Sequence, residues 1–538
     1  MIVRLIFFWA TFVLFSVPAA LAQNEVLPEG IDSARIREVT QAPSAETLAA
    51  LSALQRRTGG LPPTGGPGGV TTDYNAGALI VKRDALPAER QTLYVARENG
   101  NAAVPFVVPS SMLLQLDPKI GEGLGDLLQK TGLVPTRAFP NLSSLRVRAD
   151  LTRFFTPQPT DDSNNDAVIR GLLKAAEYYR GLDARIIAAT PELLLRDQSQ
   201  ENMVQPSDVT STENSGAEQV DWGIVDIEAD QLWDMPGAKD GVILGVMDAG
   251  FARHEDLVFL RPPTGLNASD HGNHVAGIIC ARHGNAGMKG VLPNCFVRPQ
   301  TADRLKIAAD GGDVLQFVIA FGDVLTAFDR LLGEESSVHA FNISLGYNWI
   351  PNFAINPDGS TSAQWRDLVR LQGPFVLSVL ARAERTKQVI FSAAGNDSSA
   401  TRQISAEFAS PMNWAAEYSR SQNLPGAGFG VIVEAHDRNG QKASFSNTRG
   451  DLSCPGVDIR SAVAFDKNLQ PSETAYGVMS GTSMASPYCA GGFALLSLLR
   501  PTLRPLDLIE CMKQSGKASS SGVPMLKLTA ALTACPEN

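Results

Sequence analysis

Four short runs constrain the fold of this chain more than anything else in it: Val242 to Met247, Ala340 to Ile343, Val389 to Ala393 and Val431 to Ala435 are apolar or nearly so throughout. A strand with one face in water alternates apolar and polar residues, whereas runs like these suit parallel strands buried on both faces, with helices between them. The expected fold is therefore α/β, a parallel sheet flanked by helices. In open sheets of this kind the site gathers beyond the carboxyl ends of the strands. Three of the runs finish on residues with chemistry, at Asp248, at Ser344, Leu345 and Gly346, and at Gly395 and Asn396.

A fourth reactive stretch follows. The run from Gly481 to Pro487, Gly-Thr-Ser-Met-Ala-Ser-Pro, sets the hydroxyl of Ser483 among residues chosen for smallness. Gly481 suits a sharp turn, Thr482 and Ser483 suit the opening of a helix, and Pro487 is expected in its first turn, where a missing N–H costs least. Tyr488 to Leu499 is apolar nearly all round, so it reads as a buried helix. Its N-terminal N–H groups would stabilise an anion forming beside Ser483.

This run resembles the nucleophile motif of the subtilisin-like serine proteases, the subtilases, whose Asp, His, Ser chain order is also met here. Asp248 opens Asp-Ala-Gly; the run from His271, His-Gly-Asn-His-Val-Ala-Gly, differs from the family pattern only in Asn273, where Thr is usual; Ser392 to Asn396 matches the segment of the oxyanion asparagine. The resemblance implies Ser483 as nucleophile, His271 as general base, Asp248 as the group that orients it, and Asn396 with the Ser483 backbone N–H as the oxyanion hole. Ser344, Leu345 and Gly346 resemble the strand whose backbone pairs with substrate. The activity implied is that of a serine endopeptidase on protein or peptide substrates, working through an acyl-enzyme and needing no cofactor for catalysis. Structural calcium, which many relatives bind, stays open: Asp397 and Asp437 belong to no recognisable calcium loop.

Other readings of the same residues remain. His274 competes with His271 as the base, and a metal held by both with Asp270 lacks further His or Cys ligands nearby. His254, His283, His339 and His436 read as structural or surface residues. A non-catalytic or self-inhibited binding protein on this fold would keep the same motifs, and so would a peptide ligase or transferase using the same triad. The stretch from 347 to 387 is longer than the family's usual connection, and its Trp349, Phe353 and Trp365 are expected to form a rim or lid. Glu407 falls near the expected primary pocket, where an acid would favour a basic side chain.

The rest of the chain frames this region. Residues 1–22 carry one early cation, Arg4, then an apolar run and an Ala-Leu-Ala ending, the pattern of a cleaved signal peptide. The protein is expected to be secreted or periplasmic, with no membrane association beyond export. A net charge of -10 without a Lys/Arg cluster argues against a nucleic-acid partner. Residues 23–75 read as a flexible segment with a short helix from Ala45 to Arg57, then a Gly/Pro-rich linker. Residues 76–197 form a mixed α/β unit of loosely ferredoxin-like pattern, with helices expected within Ser110 to Lys130 and from Asp166 to Tyr179. By position this unit is similar to a subtilase pro-domain, a partner within the chain. Residues 198–217 are an exposed linker with a possible maturation site, and 218–538 the catalytic domain. All 6 cysteines lie in the second half. Pairing of nearest neighbours is expected, Cys280 with Cys295, Cys454 with Cys489 and Cys511 with Cys535, with buried free thiols as the alternative.

Overall fold

The computed structural model describes residues 26–58, 70–75, 78–83, 92–98, 102–154, 163–197, 218–260, 268–285, 287–301, 304–309, 312–332, 338–353, 355–466, 468 and 470–535. The stretch expected as a signal peptide, most of the expected Gly/Pro-rich linker and the expected linker at 198–217 lie outside the described residues. Among the described residues no helix is long and apolar enough to cross a membrane.

The N-terminal unit contains α1 (Ala45–Thr58), strands β1 (Val70–Asn75), β2 (Ala78–Arg83), β3 (Thr92–Glu98) and β4 (Ala102–Leu116), helix α2 (Gly123–Thr131), β5 (Pro135–Phe139), β6 (Ser144–Arg148), α3 (Ser163–Gly181) and β7 (Ile186–Asp197). From β4 to β7 the order is βαββαβ, and the strands lie side by side as β5-β6-β4-β7, every pair antiparallel. That is the ferredoxin-type arrangement. The helical pattern expected within Ser110 to Lys130 divides: its first part continues β4, and only α2 is helix. Ser111 to Leu116 is buried on both faces because β4 is a central strand between β6 and β7, so its run shows no alternation. Residues 26–58, expected as part of a flexible arm, pack against the rest: Ile36, Val39 and Leu51 are buried, and Arg37 donates to the carbonyls of Gln422 and Asn423.

The second unit runs through β8 (Gln219–Val220), α4 (Trp222–Asp226), β9 (Val242–Asp248), α5 (Asp270–Cys280), β10 (Met288–Lys289), β11 (Cys295–Thr301), β12 (Arg304–Ala309), β13 (Gly312–Ala320), α6 (Phe321–Leu331), β14 (Val338–Ile343), β15 (Leu345–Gly346) and α7 (Trp349–Phe353). It continues with α8 (Ala363–Thr386), β16 (Val389–Ala393), α9 (Pro411–Ser421), β17 (Gly430–His436), β18 (Leu452–Pro455), β19 (Ile459–Ala462), β20 (Tyr476–Met479), α10 (Thr482–Leu499), α11 (Pro505–Gln514) and α12 (Leu528–Ala534). Six strands form one parallel sheet in the order β11-β9-β14-β16-β17-β18. The four apolar runs are β9, β14, β16 and β17, and their lack of alternation has its cause in burial from both sides. Helix α10 packs on β14, β16, β17 and β18, with Phe493 meeting Phe391 at 5.7 Å between ring centroids. Disulfides join Cys280 to Cys295, Cys454 to Cys489 and Cys511 to Cys535. The first ties α5 to β11 and the second β18 to α10, so two of the three brace helices against the sheet that carries the site.

Candidate active site

Strand β9 ends at Asp248 and α5 opens with Asp270 and His271, so the sheet and the helix bring a carboxylate and an imidazole together. Nδ1 of His271 lies 2.9 and 2.8 Å from the two carboxylate oxygens of Asp248, and the Ala249 N–H donates to the same carboxylate at 2.6 Å. Such a bond selects the tautomer with its lone pair on Nε2, the nitrogen a general base uses. The approach is close enough to demand a glycine: a Cβ on Gly272 would sit 1.8 Å from the Gly250 carbonyl oxygen. Helix α5 packs against α10, whose second residue is Ser483. Asp248, His271 and Ser483 are 0, 5 and 0% exposed, so a charge forming on any of them sits in a medium of low dielectric.

The competing readings of the histidines separate. His274 points away, its Nε2 2.9 Å from the Ile459 carbonyl on β19, and burial pushes its pKa down to about 3. Asp270 accepts the N–H groups of Ala464 and Phe465 instead of joining the histidines. Among the described residues no group of three His, Cys, Asp or Glu side chains could hold a metal ion. His254, His283 and His436 bond to the Ala475 carbonyl, the Gly290 carbonyl, and Ser453 with Asp226. Asp437 accepts the N–H groups of Asn439 and Gln441 in a tight turn.

Strand β16 delivers Asn396 through a turn at Gly395, whose φ is +102° and where a Cβ would lie 2.4 Å from the Asn447 amide nitrogen. Oδ1 of Asn396 accepts both the N–H and the hydroxyl of Thr482, each at 3.0 Å. Thr482 Oγ1 in turn accepts the Gly395 N–H at 3.1 Å. The loop after β16 is thereby clamped to the first turn of α10. The next residue, Asp397, is buried, which raises its pKa above the usual carboxylate value, and it accepts from Asn447 Nδ2 and from the Ile350 N–H in α7.

Pro487 stands sixth in α10, in the second turn and not the first. The helical partner of its missing N–H would be the carbonyl of Ser483. That carbonyl instead accepts the Ser344 hydroxyl at 3.3 Å, while Asn342 donates to Ser344 at 3.0 Å and accepts from the Ser486 hydroxyl at 2.6 Å. The segment after β14 is thus fastened to the residue expected to be the nucleophile. Motif matching alone misses this link, although a proline four residues after Ser483 is its signature.

The edge at Leu345 and Gly346 is occupied. The end of β7 lies on it antiparallel, Asp197 opposite Leu345 and Arg196 opposite Gly346. On its other side the same strand pairs Leu195 with Ile319 and Leu194 with Ala320 at the end of β13. Leu195 closes an apolar pocket formed by Phe321, Val324, Leu325, Phe328 and Leu345. The aromatics expected as a rim or lid are buried instead, because Phe106 from β4 packs among Trp349, Phe353 and Trp365 with centroids 6.4, 5.4 and 5.3 Å away. Glu407 is not an open acid awaiting a basic side chain: it lies 3.6 Å from Arg449, which also pairs with Glu417 at 3.0 Å.

Elsewhere along this seam Arg146 of β6 reaches Glu192 of β7 and, at 2.8 Å, Asp323 of α6, all three buried. Asn141 donates its backbone N–H to Asp329 at 2.8 Å, and burial pushes that carboxyl up to about 6.

A sequence model described as the subtilase family matches residues 239–527. Subtilisin BL of Lederbergia lenta is 24% identical over 314 residues, covering 57% of this chain and 94% of its own. Minor extracellular protease Epr of Bacillus subtilis (strain 168) is 26% identical over 303 residues, 55% of this chain and 38% of its own. Among solved structures, fervidolysin from Fervidobacterium pennivorans, a keratinolytic enzyme related to subtilisin, superposes with a TM-score of 0.51 at 18% identity, over 82% of this chain and 62% of its own. At that identity the superposition speaks for the fold.

Proposed function

This chain belongs to the subtilase family and is a subtilisin-like serine endopeptidase, and from that premise we propose that it is exported as a self-inhibited precursor whose first substrate is its own chain. Ser483 Oγ attacks the carbonyl carbon of a peptide bond while His271 Nε2 takes its proton, and Asp248 stabilises the imidazolium that forms. The oxyanion lies between Asn396 Nδ2 and the Ser483 backbone N–H, at the positive end of α10. His271 then passes its proton to the leaving amine, and water, activated by the same imidazole, releases the acyl group. The peptide, one water and the side chains of Ser483, His271 and Asp248 account for every proton and bond in this scheme.

The observation that carries the precursor reading is the seating of β7. An extended peptide gains its affinity by adding as a strand to an open edge. Strand β7 of the N-terminal unit already lies on Leu345 and Gly346 and ends at Asp197, beside the segment whose Ser344 holds the Ser483 carbonyl. A substrate continuing this register sets its next residue opposite Ser344. The bond expected to be cut first is therefore the one between Gln198 and Ser199, at the start of the linker. Residues 1–22 and the three disulfides support export to an oxidising compartment.

Intact mass and terminal sequencing of the secreted wild type beside Ser483→Ala test this together. The wild type is expected to release an N-terminal piece ending at Gln198, and Ser483→Ala to keep that bond. Two proteins with the same uncut chain would overturn the proposal and leave a docked, non-catalytic binding protein in its place.

A further inference from the structure

In an extended strand successive side chains point to opposite faces. Leu195 closes the apolar pocket on one face of β7, so Arg196 points to the other. What it meets there is the long stretch between β15 and β16. Arg196 is only 6% exposed, and its guanidinium carbon lies 5.4 Å from the ring centroid of Phe353 at the end of α7. A cation within about 6 Å of an aromatic face is attracted by the ring quadrupole, and the attraction grows as water is excluded. Guanidinium is the weakly hydrated, planar cation that suits such a face.

The ring is braced from within its own domain. Trp349 and Trp365 hold Phe353 at 5.7 and 6.1 Å between centroids. Trp349 donates its indole N–H to the Phe408 carbonyl at 2.6 Å, and the Asp397 carboxylate holds the Ile350 N–H at 3.0 Å. When the N-terminal unit departs, Phe106 and Arg196 leave with it, and these contacts remain. A preformed aromatic wall then stands beside the substrate edge.

We propose that Phe353, braced by Trp349 and Trp365, is a specificity subsite that selects an arginine side chain in the substrate. This rests on reading β7 as substrate-like. The residue opposite Gly346 is two before the one opposite Ser344, so the arginine stands third on the acyl side of the scissile bond. A leucine stands fourth, in the pocket that Leu195 closes.

The test uses the self-processed wild type and quenched fluorescent peptides that share leucine at the fourth position and carry arginine, citrulline, lysine or alanine at the third. Citrulline keeps the shape of arginine without its charge. The expected kcat/KM for arginine exceeds that for citrulline and for alanine about tenfold, the scale of a desolvated cation over a ring. Phe353→Leu should bring the arginine-to-citrulline ratio to about 1, and Phe353→Tyr, which keeps the π face, should preserve it. Peptides cut without regard to arginine, or a ratio that survives Phe353→Leu, overturns the subsite and leaves the peptidase reading intact. A wild type that cuts none of the peptides and matches Ser483→Ala overturns both.

Discussion

Asp248 and Arg146 are buried almost equally, yet their partners are arranged in opposite ways. Asp248 meets His271 and the Ala249 N–H, all within the catalytic domain, so its environment survives any separation of the two units. Arg146 divides its charge between Glu192 of its own unit and Asp323 of the other, so parting the units pulls one ion pair open. On the precursor reading, the difference is between a site held within one unit and a seam that parts when the N-terminal unit is released. Buried ions lose solvation when they pair and regain it when they part, so a seam built on them is specific without being irreversible. The aromatic packing of Phe106 supplies the apolar remainder, and the two short strand pairings at the end of β7 supply direction.

The comparison can be broken at the seam first. In the uncut Ser483→Ala chain, Arg146→Met leaves Glu192 buried without its cation, a change that costs about 3–5 kcal/mol when one partner of a buried pair is removed. Thermal unfolding should fall accordingly, with the N-terminal unit becoming accessible to added protease before the catalytic domain. Equal protease resistance of the two chains would show that the buried ions do not hold the seam. On the side of the site, Asn396→Ala is expected to lower kcat about 10²–10³-fold, the cost known for an oxyanion donor in a subtilisin, with the fold unchanged by circular dichroism. A kcat within about threefold of the wild type would remove Asn396 from the oxyanion hole.

The smallest effect concerns pH. Burial raises the Asp329 carboxyl from 3.8 to about 6, so the docked form holds its proton more tightly than an exposed aspartate does. The stability this contributes is fully present below about pH 4 and is lost as pH rises through about 6. In the uncut chain, Asp329→Asn should flatten that part of the profile, a difference in Tm of about 2–4 °C between the acid and neutral ends. Parallel profiles for the two chains would place the pH response elsewhere.

Legibility differed between the two regions for a physical reason. The strands of the sheet and the residues at their ends could be read because burial on both faces writes itself into local composition, and because Gly272 and Gly395 stand in recognisable motifs, where the Gly250 carbonyl and the Asn447 amide leave no room for a side chain. The run that forms β4 reads as partly helical in sequence, because a central strand loses its alternation and looks like any apolar run. Trp349, Phe353 and Trp365 are large and apolar, and nothing local says whether such residues line a rim or receive a partner. Glu407 carries its charge in the sequence, but the Arg449 that neutralises it lies 42 positions on.

By itself, then, the order of residues determined the α/β class and pointed to Asp248, His271, Asn396 and Ser483 as the candidate set, since each rests on spacing or on neighbours a few residues away; it left the pairing of the cysteines open. Only the tertiary structure decided that β7 lies on Leu345 and Gly346, that Arg146 is shared across the seam, that Pro487 leaves the Ser483 carbonyl to Ser344, and that Phe353 faces Arg196. Those contacts join residues far apart in the chain, and a side chain's own composition does not reveal which distant group will exclude water from it.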